Sequence, residues 1–188
     1  GGKNFPRVES AYPAAAGAAG NMHGKIAVEL QQMWREQLGV QVELRQIERK
    51  IFYSAQSRLD FDLSGGSWVA DYNDPNTFLD MFTSPSGYNR TGWKNAAYDE
   101  LIRQANLQMD LKRRAELFRQ AEVLLVNDEA PIVPLYFFVG FSFFDPARIS
   151  GIYLNVLDEH PLQFIRKEKI KGSHAAALGP REPHYSCG

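Results

Sequence analysis

The chain has 188 residues, 21 of them basic and 22 acidic for a net charge of -1, with 44% hydrophobic and 12% aromatic residues. That composition excludes a disordered chain and suits one sizeable core, while the balanced charge lacks the basic footprint that nucleic acid or an anionic membrane surface requires. No apolar run reaches the roughly 18 residues needed to span a bilayer, and the single cysteine, Cys187, can form no internal disulfide.

In chain order, Pro6 to Tyr12 alternates around a β-branched centre and reads as a strand, and Pro13 to Gly20 reads as a small-residue loop. From Gly24 to Leu38 a stripe of Ile26, Leu30, Met33, Trp34 and Leu38 predicts an amphipathic helix, with Gly39 placed to end it in the left-handed conformation. Val40, Val42 and Leu44 then alternate with polar residues, so a second strand follows, parallel to the first. Arg49 to Arg58 predicts a short helix with Ile51, Phe52 and Ala55 inward, and Phe61 to Ser64 a third strand.

The next stretch, Ser67 to Asp80, concentrates an indole, two carboxylates three residues apart, a tyrosine and a proline. Aromatic walls around an acid suit a small cation or an ammonium group. Ala70 to Pro75 reads as a strand end passing into a loop, with Pro75 pre-set for the first turn of a helix over Thr77 to Phe82. Junctions of this kind face clefts more often than strand interiors do. Each residue also has a plainer role open to it: Asp71 as a loop carboxylate capping that helix, Trp68 as core, Asp74 as the N-cap before Pro75.

Thr83 to Asn95 predicts a long polar loop whose bulky members are Tyr88 and Trp93, a length that marks functional or mobile segments. Ala96 to Met109 follows as a helix with Tyr98, Leu101, Ile102 and Ala105 on one side. Asp110 caps another carrying Ala115, Phe118, Ala121, Leu124 and Leu125, and the short linker predicts an antiparallel pair. Ala130 to Phe144 is the most hydrophobic part of the chain; its prolines restrict strands to starts or edges, so Pro134 to Val139 and Phe141 to Phe144 are predicted as strands that complete the core. Residues 172–188 have no apolar period and read as a tag-like or disordered tail.

The four histidines, His23, His160, His174 and His184, are scattered without metal-site spacing, and Asp158-Glu159-His160 before Pro161 reads as solvated surface. With no phosphate loop, nucleophile elbow or Cys/His pair, a hydrolase reading has only Asp71 and Asp74 to stand on.

Trp68, Asp71, Tyr72, Asp74, Pro75, Phe78 and Leu79 closely resemble the W-x-x-D-Y-x-D-P-x-x-F-L signature of the bacterial extracellular solute-binding proteins that carry peptides, dipeptides or nickel to ABC importers. Lys25 to Trp34 with Gln37 to Leu44, then Tyr98 to Ile102, Arg113 to Leu117 and Pro131 to Tyr136, resemble further segments in that family's order, so the likeness covers residues from about 5 to 168. The resemblance implies an α/β (α+β) fold of the periplasmic-binding-protein type, a mixed sheet with flanking helices. In this reading residues 1–145 form the second lobe, 146–171 the segment that in relatives returns to the first lobe, and 172–188 the tail.

Family members are longer, have two lobes and carry a signal peptide, which is not evident at Gly1, so the chain is expected to be a fragment of a periplasmic or extracellular protein. The resemblance further implies a peptide ligand, a membrane permease as partner, no cofactor and no metal, although some relatives bind nickel. Asp71 matches the aspartate that pairs with a peptide's α-ammonium group. Asn89, Thr91 and Trp93 resemble an N-x-T-G-aromatic loop near the cleft, which makes Trp68, Asp71, Tyr72, Asn73, Asn89 and Trp93 the candidate ligand contacts. Gly65 stands where some oligopeptide binders have an arginine, which weakens the case for a carboxylate clamp from this lobe. The apolar residues Ile149, Ile152, Leu154, Val156, Leu162, Phe164 and Ile165 match a region that relatives bury against the first lobe; with that lobe missing, they are the expected source of any self-association. The rival readings are a folded interaction or scaffold fragment without a small-molecule ligand, and a binder of nickel or another solute.

Overall fold

The computed structural model describes residues 5–14, 17–137, 139–155, 157, 159–168 and 185–187. They form two compact units: Gly1–Trp68 with Gly87–Lys94, and Val69–Ser86 with Asn95–Gly188.

The first unit contains β1 (Val8–Ala14), α1 (Gly17–Leu38), β2 (Val42–Glu48), α2 (Arg49–Arg58) and β3 (Leu63–Ser64). Its sheet has the order β2-β1-β3 and is parallel throughout, with Val8 opposite Val42, Ala14 opposite Glu48, and Ser10 and Ala11 opposite Leu63 and Ser64. The expected strand–helix–strand unit is therefore present. The loop expected over Pro13 to Gly20 is not: β1 runs to Ala14 and α1 already begins at Gly17. Alanine is the best helix former, and a run of small residues extends a helix when the tertiary structure supplies its continuation.

Gly39 ends α1 as expected, at φ 68°, its N–H donating to the Arg35 carbonyl at 3.1 Å. The buried face is rotated from the expected stripe: Ala27 is buried, Ile26, Leu30, Gln31 and Trp34 are half-buried, and Met33 and Leu38 are exposed. Gln31 Nε2 donates to the Val42 carbonyl at 2.6 Å, which ties this face to β2. Val42 and Ile47 of β2 are both buried, and their odd separation puts them on opposite faces of the pleat. Ile47 packs with Ala11 and with Phe52 of α2. Ile51, expected inward, lies next to Phe52 on the helix and is exposed; Gln56 is buried instead, and its amide donates to Ser64 Oγ at 2.7 Å and the Gly65 carbonyl at 3.2 Å.

The second unit contains α3 (Asn76–Leu79) with a 3₁₀ turn over Asp80–Phe82, α4 (Ala96–Leu107) and α5 (Leu111–Glu122), which continues through a wider π-type turn over Val123–Asp128. Asn95 Oδ1 accepts from the Ala97 and Tyr98 N–H groups at the start of α4, and Asp110 Oδ1 from the Arg113 N–H at 2.8 Å at the start of α5. Tyr98, Ile102 and Ala105 of α4 are buried, as are Leu117, Phe118, Ala121 and Leu125. Ala115, expected in the stripe, is exposed, and Leu117 takes the buried place.

The strands expected after Pro131 are largely absent. Residues 132–137 are irregular, only β4 (Val139–Phe141) is extended in a pair, and Val133, Leu135, Tyr136, Phe137 and Phe143 are exposed. This run does not complete the core. Pro131 and Pro134 remove two ladder donors and fix φ, and hydrophobicity alone supplies no partner strand. β5 (Ile149–Ser150) pairs antiparallel with β6 (Arg166–Lys167), and β4 with β7 (Tyr185–Cys187). Of the apolar set after Ile149, Leu154, Leu162 and Phe164 are exposed, whereas Ile149, Ile152 and Ile165 are half-buried. Val156 and most of the expected tail over 172–188 lie outside the described residues.

Candidate functional site

In the second unit the segment from Asp71 to Asp80 is held by its own polar groups. Asp74 Oδ1 accepts from the Asn76 N–H at 2.9 Å, and the Asp74 carbonyl from the Thr77 N–H at 3.2 Å, so Asp74 provides the cap that the residue order predicts. Pro75 sits at φ -55°, ψ -26°, ready for the turn it opens. Thr77 is buried, and its Oγ1 accepts from the Asp71 N–H at 3.0 Å. Asn76 Nδ2 reaches both the Tyr72 hydroxyl at 3.0 Å and Asp80 Oδ2 at 3.2 Å. Beneath these residues Tyr98 is fully buried and donates its hydroxyl to the Leu79 carbonyl at 2.6 Å.

The plainer reading of Asp71 as a helix cap does not describe this geometry. Its backbone N–H is committed to Thr77, while its side chain is exposed and makes no hydrogen bond or ion pair among the described residues. Asp74 is fully engaged: Arg114 of α5 forks onto it with Nη1 2.5 Å from Oδ2 and Nη2 2.8 Å from Oδ1. The Arg114 hydrogen bond holds the Asp74 carboxyl below its ordinary range, with the Asn76 N–H helping, against a smaller opposing effect of burial. Burial raises Asp80, and the neighbouring Asp71 charge adds to the rise. Burial also pushes the Tyr98 phenol far up, with Asp80 and Asp99 contributing.

In the first unit Trp68 is half-buried, stands edge-on to Tyr88 with ring centroids 5.2 Å apart, and has a buried indole Nε1 without a hydrogen-bond partner among the described residues. Asn89 organises its loop from within. Its Oδ1 accepts from the Thr91 N–H at 3.1 Å and hydroxyl at 2.7 Å, its Nδ2 donates to the Trp93 carbonyl at 3.0 Å, and the Trp93 N–H returns to Thr91 Oγ1 at 3.0 Å. Gly92 is required there: its φ is 72°, and a Cβ would stand 2.8 Å from Leu59 Cδ1.

The candidate residues therefore divide. Asp71, Tyr72 and Asn73 lie on an exposed, internally braced turn of the second unit; Trp68, Asn89 and Trp93 belong to the first. Thr77, Asn76, Asp80 and Arg114 were not singled out from the sequence. For Arg114 no local signal exists, because it lies 40 residues from the carboxylate it holds. Among the described residues no group of three or more His, Cys, Asp or Glu side chains is arranged to hold a metal ion.

Comparison with known proteins adds to this geometry. Residues 7–90 match the family model described as bacterial extracellular solute-binding proteins, family 5, middle. The dipeptide-binding protein DppE of Bacillus subtilis is 47% identical over 143 residues, covering 76% of this chain and 25% of that protein. A probable deoxycholate-binding periplasmic protein, YgiS of Escherichia coli, is 43% identical over 117 residues, covering 62% of this chain and 22% of its own length. The structure of the Escherichia coli murein tripeptide-binding protein MppA superposes with a TM-score of 0.64 at 33% identity, covering 70% of this chain and 25% of that one. The chain thus spans about a quarter of the length of the relatives it matches.

Proposed function

Since the chain belongs to the family 5 bacterial extracellular solute-binding proteins, we propose that it supplies part of the ligand-binding surface of an ABC importer's peptide-binding component, acting outside the cytoplasmic membrane. The observation that carries the reading is Asp71: an exposed carboxylate with no side-chain partner among the described residues, on a turn where Tyr72, Asp74, Asn76 and Thr77 are hydrogen-bonded, at the acidic position of the family signature. A carboxylate so placed accepts hydrogen bonds from an α-ammonium group, an interaction worth about 1.5–3 kcal/mol. Tyr72 and Asn73 flank it; in the first unit, taken by itself, Trp68 and Trp93 are the proposed apolar ligand contacts, and Asn89 shapes the loop that carries Trp93. DppE and MppA are named for peptide ligands, which favours this class. An anionic steroid such as the deoxycholate of YgiS's name would be repelled by Asp71.

Arg114 holds both Asp74 oxygens and keeps the carboxyl ionised, which does not suit Asp74 to act as a general acid near neutral pH and favours binding over hydrolysis.

The test is calorimetry on a full-length solute-binding protein carrying this segment, with Asp71 or Asp71→Asn, against peptides with free or acetylated amino termini. Asp71→Asn is expected to weaken the free-amine peptide by on the order of a hundredfold and the acetylated one little, with strongly non-additive losses. Additive losses, or binding of deoxycholate in preference to peptide, would refute it.

A further inference from the structure

Arg114 is held at its fork, at its inner N–H and on one face of its guanidinium. Nη1 and Nη2 hold Asp74, Nε donates to the Ala105 carbonyl at 3.2 Å, and the planar group lies 4.6 Å from the ring centroid of the buried Phe118. A guanidinium fixed at its fork, its inner N–H and its face has one orientation, and it passes that orientation to the carboxylate it grips. From Asp74 the constraint runs on without a gap. Asp74 sets the first turn of α3 through the Asn76 and Thr77 N–H groups, and Thr77 Oγ1 takes the Asp71 N–H. Asp71 itself makes no other hydrogen bond among the described residues, and its neighbour Tyr72 is bonded to Asp74 and Asn76 of the same braced turn. The backbone that carries its carboxylate is thus linked to a side chain of α5.

We propose that Arg114 is a positioning residue for recognition of the ligand's amino group, acting through the bidentate grip on Asp74 and the Thr77 hydroxyl to aim Asp71. The inference rests on the reading of Asp71 as the ammonium partner, and it assigns a specificity role to an arginine that touches no ligand. A merely structural ion pair would change stability and would weaken all ligands alike. A positioning residue changes the preference between a free and a blocked amino terminus.

The experiment uses a full-length solute-binding protein carrying this segment and measures affinity for a free-amine peptide and its acetylated form in Arg114→Gln, Arg114→Lys, Asp71→Asn and the Arg114→Gln/Asp71→Asn pair. Arg114→Gln should reduce the free-amine preference by on the order of tenfold, the lower end of what one charge-assisted hydrogen bond is worth. The same change made in Asp71→Asn should alter that preference no further. Arg114→Lys keeps a charge but has neither fork nor plane, so it should recover melting temperature more than it recovers preference. If Arg114→Gln does not fold, the Lys variant carries the same comparison. Equal losses for both peptides, or full recovery of preference by lysine, would overturn the proposal while leaving Asp71 in place. A preference untouched by Asp71→Asn alone would remove the underlying reading as well.

Discussion

At the scale of single residues Asp74, Asn76 and Thr77 brace the turn, whereas the exposed Asp71 carboxylate makes no hydrogen bond or ion pair among the described residues. Thr77 is the brace closest to Asp71. Thr77→Val keeps the shape but leaves the Asp71 N–H without its acceptor, and a loss of about 1 kcal/mol in urea unfolding is expected, with Thr77→Ser restoring most of it. Gly92→Ala should cost about 1–2 kcal/mol, because the left-handed backbone and the contact with Leu59 both oppose a Cβ; an unchanged midpoint would mean that the loop moves freely. The pH dependence has a defined sign. Asp74 has its carboxyl lowered in the fold by Arg114, so its contribution is present above the ordinary value of 3.8 and is lost as pH falls through the lowered one. Asp80 is raised, so its ionised form opposes folding, and protonation on acidification relieves that cost. Arg114→Gln should therefore flatten the fall in stability at the acid end, whereas Asp80→Asn should steepen it by removing the compensating gain. Melting temperatures across the acid range decide between these outcomes.

At the scale of elements, caps and small buried residues decide the helix pair. Asp110→Ala should destabilise α5 by about 1 kcal/mol through the loss of its bond to the Arg113 N–H, measured as a shift in the thermal midpoint. Ala105 and Ala121 are fully buried where the helices meet their neighbours. Ala105→Leu adds volume with no cavity prepared for it and should cost about 1–3 kcal/mol. These elements were legible because capping and 3.6-residue periodicity are local: Gly39, Asp110 and Pro75 all act as the residue order predicts. The structure departs from the expected stripes where neighbours decide. Ile51 and Ala115 satisfy the stripe but face away from the packing, since an apolar residue at the edge of a stripe is buried only if another element reaches it.

At the scale of the whole molecule the exposed apolar residues matter most. Val133, Leu135, Phe137 and Phe143, with Tyr153, Leu154, Leu162 and Phe164, leave a large exposed hydrophobic area in the second unit. The isolated chain is therefore expected to self-associate in sizing experiments, and removal of residues after Asp145 together with Phe137→Ser should shift it toward monomer; an unchanged distribution would sink this expectation. What the sequence by itself determined was the class of fold, the strand–helix–strand order, the end of α1 at Gly39, both limits of α2 and the family signature around Trp68 and Asp71, because each rests on periodicity, turn chemistry or a contiguous motif. Only the tertiary structure decided that Asp74 belongs to Arg114 and that most of the described apolar residues after Pro131 stay exposed. Those outcomes depend on which distant groups meet, and a partner 40 residues away leaves no mark on the local pattern.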